Sequence, residues 1–424
     1  MRISFSTYGC KVNQYETELI KQMFLKTGGF TEAAGYMDAD VCLINTCTVT
    51  AKIDVEIARK LRQIKANSVC RVILTGCLVE RSGHAEISKL ADWVIPNENK
   101  FMLSSYPPEV ISAPSAVYEP VLEGFSGRNK AFVKVEDGCD RFCAYCTVPL
   151  VRGSRIKSRD TSEIIMEIKK LSAAGFKEII LTGVNLGLFG KENNDPKALF
   201  SLLKEAVKIS GATRLRLSSI GPADLSNSVI DLAADNPAKI CPHFHLSMQS
   251  GDDAVLKRMN RNYNRALYSD KVGYIIKAIP YAGINTDVIA GFPGETGAEF
   301  DNTTAFIKEI PFSRLHVFPY SDRPGTKATV MGGKIDDKVK KERVKILMQI
   351  ADEKETSFAR MNQGRVLSAL VEEGGNEHSL FGYTENYIRV ILKKEDRSKA
   401  FINNIAPVKI TEIEDGNFHA EIEP

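Results

Sequence analysis

Three cysteines fall close together in the stretch GCDRFCAYC, as Cys139, Cys143 and Cys146 in a C-x3-C-x2-C spacing. Thiolates this near one another bind a soft metal centre. A structural zinc would need a fourth protein ligand, and the nearest histidine in the chain is far away, which disfavours zinc. A four-iron, four-sulfur cluster held by three cysteines instead leaves one iron open to a small ligand. Three more cysteines share a position rather than a spacing. Cys10, Cys47 and Cys77 sit in TYGC, NTC and LTGC, each just past a strand-like run. The carboxyl ends of parallel strands share one sheet edge, so these thiolates can converge from distant parts of the chain. Glycines before Cys10 and Cys77 permit tight turns and close backbone approach. Two readings compete: a second open cluster, or three unrelated buried cysteines. Cys42, Cys70 and Cys241 lie inside or at the start of strand-like runs and read as core packing.

The elements that must position these residues are legible as alternating periodicities. In the first hundred residues, strands at 3–8, 40–45 and 69–75 are each followed by a helix, which predicts a doubly wound parallel sheet over 1–105. Residues 106–129 carry prolines and glycines with little periodicity and read as a linker. From 130 to 360 six strand-like runs (131–136, 178–185, 214–220, 243–249, 285–292 and 314–320) are separated by helical stretches, and a long charged helix at 335–361 ends the segment. Six βα units in a row predict a partial (β/α)6 barrel, with its chemistry at the carboxyl ends of the strands. Residues 363–424 are short β-rich runs with turns, as in a small β-barrel. The whole is an α/β chain in three parts.

Composition sets outer bounds. The chain has 424 residues, 43% hydrophobic and 26% charged, with nine cysteines. No apolar run reaches the roughly 18 residues of a membrane span, and the first residues do not read as a signal peptide. The expected compartment is cytoplasmic, with no membrane partner. Clustered cysteines in a reducing compartment bind metal or do chemistry rather than form disulfides. A net charge of +3 is too small to identify a nucleic-acid partner.

The cysteine loop, with the aromatic Tyr145 just before its third cysteine, resembles the radical S-adenosylmethionine (SAM) superfamily. That resemblance implies that SAM chelates the open iron through its amino and carboxylate groups. An electron from the cluster then cleaves the sulfonium, giving a 5′-deoxyadenosyl radical. Two open clusters in one chain resemble the methylthiotransferase branch, as do VPLVRGSRIKSR, PHFHLSMQSGDDAVLKRMNR, VIAGFPGET and FPYSDRPGTKA, and the carboxyl-terminal part resembles a TRAM domain. The implied cofactors are SAM and two [4Fe–4S] clusters, an auxiliary one on Cys10, Cys47 and Cys77 and a radical one on Cys139, Cys143 and Cys146. One SAM would methylate a sulfur of the auxiliary cluster and another would supply the radical. The stretches GCKVNQYETE and CPHFHLSMQSGDD are similar to the subgroup acting on threonylcarbamoyladenosine beside the tRNA anticodon. The rival substrates are isopentenyladenosine in tRNA and an aspartate of a ribosomal protein. A rival of another class is a zinc-dependent RNA-binding protein. The implied partners are the tRNA anticodon loop and a one-electron donor such as flavodoxin or ferredoxin, and the chain is expected to act as a monomer.

Supporting residues follow. Gly291, Pro293, Gly294 and Glu295 form a turn that either cradles the adenine of SAM or serves packing. Gly183 and Asn185 end the second barrel strand, where the superfamily holds the SAM amino group. Ser247 and Gln249 end the fourth, facing the site or forming a buried polar pair. Arg152, Arg155, Lys157 and Arg159 follow the cluster loop, and Lys257, Arg258, Arg261 and Arg265 follow the fourth strand. Both runs are expected to grip tRNA phosphates. In the carboxyl-terminal part, Asn386, Tyr387 and Arg389 are expected to form an RNA face, with Tyr387 as a stacking surface. Yet residues 365–424 hold seven Lys/Arg against eleven Asp/Glu, an acidity unusual for an RNA-binding barrel.

Overall fold

The structure is a computed structural model describing all residues except 82–84, 112–120, 126–128, 212, 375–377, 415 and 424, and the side chain at 397. The first sheet is parallel. Strands β1 (Arg2–Thr7), β2 (Val41–Thr46) and β3 (Arg71–Gly76) form its centre, with two-residue strands Thr31–Glu32 and Trp93–Val94 at its edges. Strand β2 is buried along its whole length because both faces are covered. Val41 and Leu43 pack with Ile20, Met23 and Phe24 of helix α1 (Lys11–Lys26) on one face. Cys42 and Ile44 pack with Ile57, Leu61 and Ile64 of helix α2 (Ala51–Asn67), and with Cys70, on the other. Cys42 and Cys70 are therefore core residues, as expected.

The central part is an open barrel of six parallel strands: β4 (Lys130–Lys134), β5 (Glu178–Thr182), β6 (Arg214–Leu217), β7 (His243–Leu246), β8 (Gly283–Ala290) and β9 (Arg314–Pro319). Strands β4, β5 and β6 make one sheet, and Ser219–Ile220, β7, β8 and β9 make the other. Helices alternate with the strands, from α3 (Thr161–Ala173) to the long α8 (Asp337–Asn362). Helix α1 packs beside β4, so the first sheet reaches the open side of the barrel. Half of the expected linker lies outside the described residues. Its described part is not a bare tether: Leu122 and Phe125 are buried in the barrel core, and the Leu122 amide donates to Glu167.

The last part is a closed barrel of five strands, Val366–Glu372, Ser379–Thr384, Arg389–Lys393, Ile405–Glu414 and Asn417–Ile422. It docks against the amino ends of the central strands, where the buried Cys241 lies, away from the two cysteine triads. A Cβ added at Gly283 would stand 2.1 Å from the carbonyl oxygen of Asn386, so only glycine admits this contact. Arg216 donates to the carbonyls of Thr384 and Glu385 while holding Glu178 at 2.8 Å. This corrects the RNA face expected at 386–387. Asn386 is fully buried and donates to the Tyr281 carbonyl and to Asn362. Tyr387 stacks between His243 (4.4 Å) and Tyr383 (5.1 Å), with the Arg216 guanidinium over its ring. Both residues are docking groups. Only Arg389 remains exposed, over the ring of Phe381.

Replacing Arg216 leaves the buried Glu178 carboxylate with Arg214 in place of two arginines and removes two bonds to the docked loop. Breaking a buried pair costs about 3–5 kcal/mol. Arg216→Met should therefore lower the midpoint of urea unfolding, followed by circular dichroism; an unchanged midpoint would refute this account of docking.

Candidate active site

The auxiliary loops are held by close approach. Gly9 (φ 103°) and Gly76 (φ 99°) adopt conformations that disfavour side chains, and a Cβ at Gly9 would fall 2.5 Å from Cβ of Cys47. Asn13 on α1 donates to the carbonyls of Tyr8 and Thr46, fixing the turns that present Cys10 and Cys47. Cys10, Cys47 and Cys77 are brought together. Burial pushes the Cys47 thiol up to about 12, and its nearness to Cys77 and Cys10 adds to the rise. The Cys77 thiol is likewise raised by burial and by Cys10, opposed by Arg152.

The second triad lies past β4. Burial lifts Cys139 to about 11 and Cys146 to about 12, and the neighbouring Cys143 sulfur raises both. Burial holds these thiols above the ordinary range, as it does the core residue Cys241, so a bound positive centre would have to displace their protons. Among the described residues, no three His, Cys, Asp or Glu side chains close tightly enough to hold a single ion. A cluster carries its thiolates on separate irons, so a looser triad suits it better than it suits zinc. Both donor sets fit a three-cysteine cluster.

Between the triads lies a cavity of about 280 Å³, lined by Val49 and Thr50 from the auxiliary side and by Tyr145, Cys146, Gln249, Asp287, Ile289 and Phe318 from the barrel mouth. The sides are joined there by Arg323, which bonds Thr48 and Asp54 across the seam. Gln249 has a positive φ of 71°, an uncommon conformation for a non-glycine residue, and its backbone pairs with β8 at Asp287 and Ile289. Ser247 approaches Asp287 at 3.5 Å.

Several basic residues expected to grip RNA are engaged internally. Arg152 is buried: its guanidinium bonds Glu16, Asp137 and Asn13, and its charge bears on Cys77. Arg159 holds Glu167 and Tyr15, and Arg258 holds Glu299. Arg261 donates to the Cys143 sulfur at 3.0 Å and reaches the Tyr145 hydroxyl at 3.4 Å. Arg265 lies over Phe306. Arg155, Lys157 and Lys257 remain exposed. Spacing alone could not separate a solvated arginine from one claimed by an acid far along the chain.

Other expected contacts have structural tasks too. Gly291 leaves room for Lys340, whose Cγ would lie 2.3 Å from an added Cβ, and its amide is held by Glu295, itself paired with Arg343. Pro293 sits within that turn, and the Gly294 amide donates to Gly333. Gly183 admits Glu136, whose Oε1 would stand 2.0 Å from an added Cβ. Asn185 donates to Asp224 and, through its backbone amide, to Glu136. Sequence reading passed over Glu136, Arg323 and Asn13: the last two lie within stretches quoted for the resemblance, but nothing in those stretches shows which distant groups they hold.

Comparison with known proteins places this arrangement. Solved structures show the fold: a radical SAM methyltransferase, TsrM, from Kitasatospora setae aligns with TM-score 0.57 at 13% identity, over 78% of this chain and 75% of that one. The cobalamin-dependent radical enzyme OxsB aligns with TM-score 0.53 at 8% identity, over 83% and 56%. Family descriptions match in three pieces: the uncharacterized protein family UPF0004 at residues 2–95, the Radical SAM superfamily at 133–307 and the TRAM domain at 360–422. Curated relatives narrow the class. Threonylcarbamoyladenosine tRNA methylthiotransferases of Bacillus subtilis and Aquifex aeolicus are each 37% identical, over 96% and 92% of this chain and 93% and 96% of theirs. A tRNA-2-methylthio-N(6)-dimethylallyladenosine synthase of Pelotomaculum thermopropionicum is 33% identical over 95% of this chain and 94% of its own. The chain belongs to the radical SAM tRNA methylthiotransferase family.

Glu136 yields a pH test. Burial raises its carboxyl to about 8, and its Oε2 has no hydrogen-bond partner. The folded pKa lies above the ordinary 4.5, so the fold favours the protonated acid. Its stabilising contribution is complete below about pH 4.5 and is lost as pH rises towards 8. Glu136→Gln mimics the neutral acid. It should unfold at a higher temperature than the parent at pH 8 and at the same temperature at pH 4; equal midpoints at both would contradict this.

Proposed function

We propose that this protein converts N6-threonylcarbamoyladenosine at tRNA position 37 into its 2-methylthio derivative. The observation that carries the reading is the pair of three-cysteine sites flanking one cavity, which Cys146 lines at the barrel mouth and which Val49 and Thr50, just after Cys47, line from the first sheet. The substrate assignment rests on the relatives' names and on the subgroup resemblance of the stretches around Cys10 and His243. The residues suit Cys139, Cys143 and Cys146 to a [4Fe–4S] cluster with SAM at its open iron, and Cys10, Cys47 and Cys77 to an auxiliary cluster. Bound there, these groups supply a carbon-centred radical and a sulfur to be transferred.

The chain's own residues then position and protect. Arg261 neutralises charge on the Cys143 sulfur and orients Tyr145. Arg152 brings a buried positive charge to Cys77. Ile289, Phe318 and Val49 supply apolar wall, limiting water around a reactive intermediate. Gln249 and Asp287 offer polar contacts at the same level. The exposed Arg155, Lys157 and Lys257 suit phosphate contacts near the barrel mouth, and the exposed Arg389 a more distant one.

Two variants separate the triads. Cys143→Ala should abolish formation of 5′-deoxyadenosine from SAM under reduction. Cys47→Ala should keep part of that cleavage and lose methylthio transfer; full transfer by Cys47→Ala would refute the auxiliary assignment. The substrate is tested by nucleoside mass spectrometry of tRNA incubated anaerobically with reconstituted enzyme, reductant and SAM. A methylthio-sized gain on threonylcarbamoyladenosine is expected. The same gain on isopentenyladenosine alone would overturn the assignment.

A further inference from the structure

The barrel interior is polar where such barrels are ordinarily filled by branched apolar side chains. Strand alternation turns Arg216 and Ser218, His243 and His245, Asn285 and Asp287, and His316 towards the lumen, while Leu215, Leu217, Phe244 and Leu246 pack outwards. Asp287 bonds His245 at 3.0 Å, and the ring of His316 stacks on His245 at 5.7 Å. Asp287 also lines the cavity between the triads, so these histidines border its inner side. Beyond them, His243 is 3% exposed and both its ring nitrogens lack a hydrogen-bond partner. Ser218 Oγ and Asn285 Nδ2 are also buried without partners. Unpartnered polar groups at this burial are costly unless something else satisfies them.

One cation approaches this polar interior from outside the barrel. Lys11 opens α1, directly after Cys10. Its ammonium lies close enough to interact electrostatically with a residue on every barrel strand: Lys130, Glu178, Arg216, His243, Asp287 and His316. Lys11 thus approaches the polar interior from the side where α1 packs beside β4. Lys11 has no ion pair of its own among the described residues. Glu178 is claimed by Arg214 and Arg216, and Asp287 by His245. The barrel interior thus offers an uncommitted cation and unsatisfied polar groups, suited to a compact anion bearing further hydrogen-bonding atoms.

We propose that this polar interior is the subsite for the threonylcarbamoyl substituent, with its threonine carboxylate received by Lys11 and its remaining polar atoms by His243, Ser218 and Asn285. The inference rests on the substrate reading above. Lys11 and His243 come from the two stretches, far apart in sequence, that resemble the threonylcarbamoyladenosine subgroup. An isopentenyl group is uncharged and apolar; it would leave these groups buried and unsatisfied. Selectivity between the two tRNAs then follows from a carboxylate being present or absent.

The test compares two anticodon stem-loop RNAs. One carries threonylcarbamoyladenosine, and the other carries the same nucleoside with its threonine carboxylate capped as a neutral methylamide. Affinity is measured anaerobically on the reconstituted full-length protein by fluorescence anisotropy. The protein should bind the acid about tenfold more tightly than the amide, the value of one charge-assisted bond. Lys11→Gln should bring that ratio close to one, Lys11→Arg should largely preserve it, and His243→Phe should weaken binding of both RNAs. Equal binding of acid and amide by the unaltered protein would overturn the subsite, with no variant needed. So would an unchanged ratio in Lys11→Gln. Failure of the substrate reading looks different: no methylthio gain on threonylcarbamoyladenosine by mass spectrometry, whatever the ratio.

Discussion

One buried carboxylate holds the two halves of the reaction site in register. Glu16, on the first helix, is 1% exposed and meets Lys100, Lys134 and Arg152 at 2.6–3.0 Å. Burial alone would raise its pKa, yet the three cations hold it well below the ordinary carboxylate range. Lys134 belongs to the barrel, Lys100 to the first part, and Arg152 follows the radical-site loop. Arg152 continues to Asp137 in the barrel and to Asn13, which fixes the turns before Cys10 and Cys47. An isolated buried charge is expensive, so every partner must be in place together. The network couples the positions of the two cysteine triads without touching either reactant.

The folding logic is a division of labour between strand interiors and strand ends. Interiors are apolar outward and carry the packing. Carboxyl ends hold cysteines, glycines and amides in strained or crowded backbone, as at Gly9, Gly76, Phe142 and Gln249. Strain of this kind persists only where surrounding packing fixes it. Here parallel strands with both faces covered provide that fixity.

Much of this was legible in the sequence, for identifiable reasons. The periodicity of 3.6 against 2 gave the strand and helix order, and it placed Cys10, Cys47 and Cys77 at strand ends before any coordinates. The C-x3-C-x2-C loop was legible because its spacing is local. What was illegible is non-local pairing. Arg152 and Arg261 looked like members of a basic surface run, because nothing in the run shows that Glu16 and Cys143 await them. Tyr387 looked like a stacking platform, and it is one, but its faces are taken by His243 and Tyr383. Lys11 carries no signal of its own in the sequence, because the barrel residues whose charges it meets lie more than a hundred positions further along.

The carboxyl-terminal barrel has a further consequence through its loop at residues 384–387, which seats against Arg216, Gly283 and His243 at the amino end of the central barrel. That loop acts as a stopper. A vessel corked at its base fills and empties only through its mouth or its open flank, so whatever enters the lumen comes from the sides on which the two cysteine triads lie.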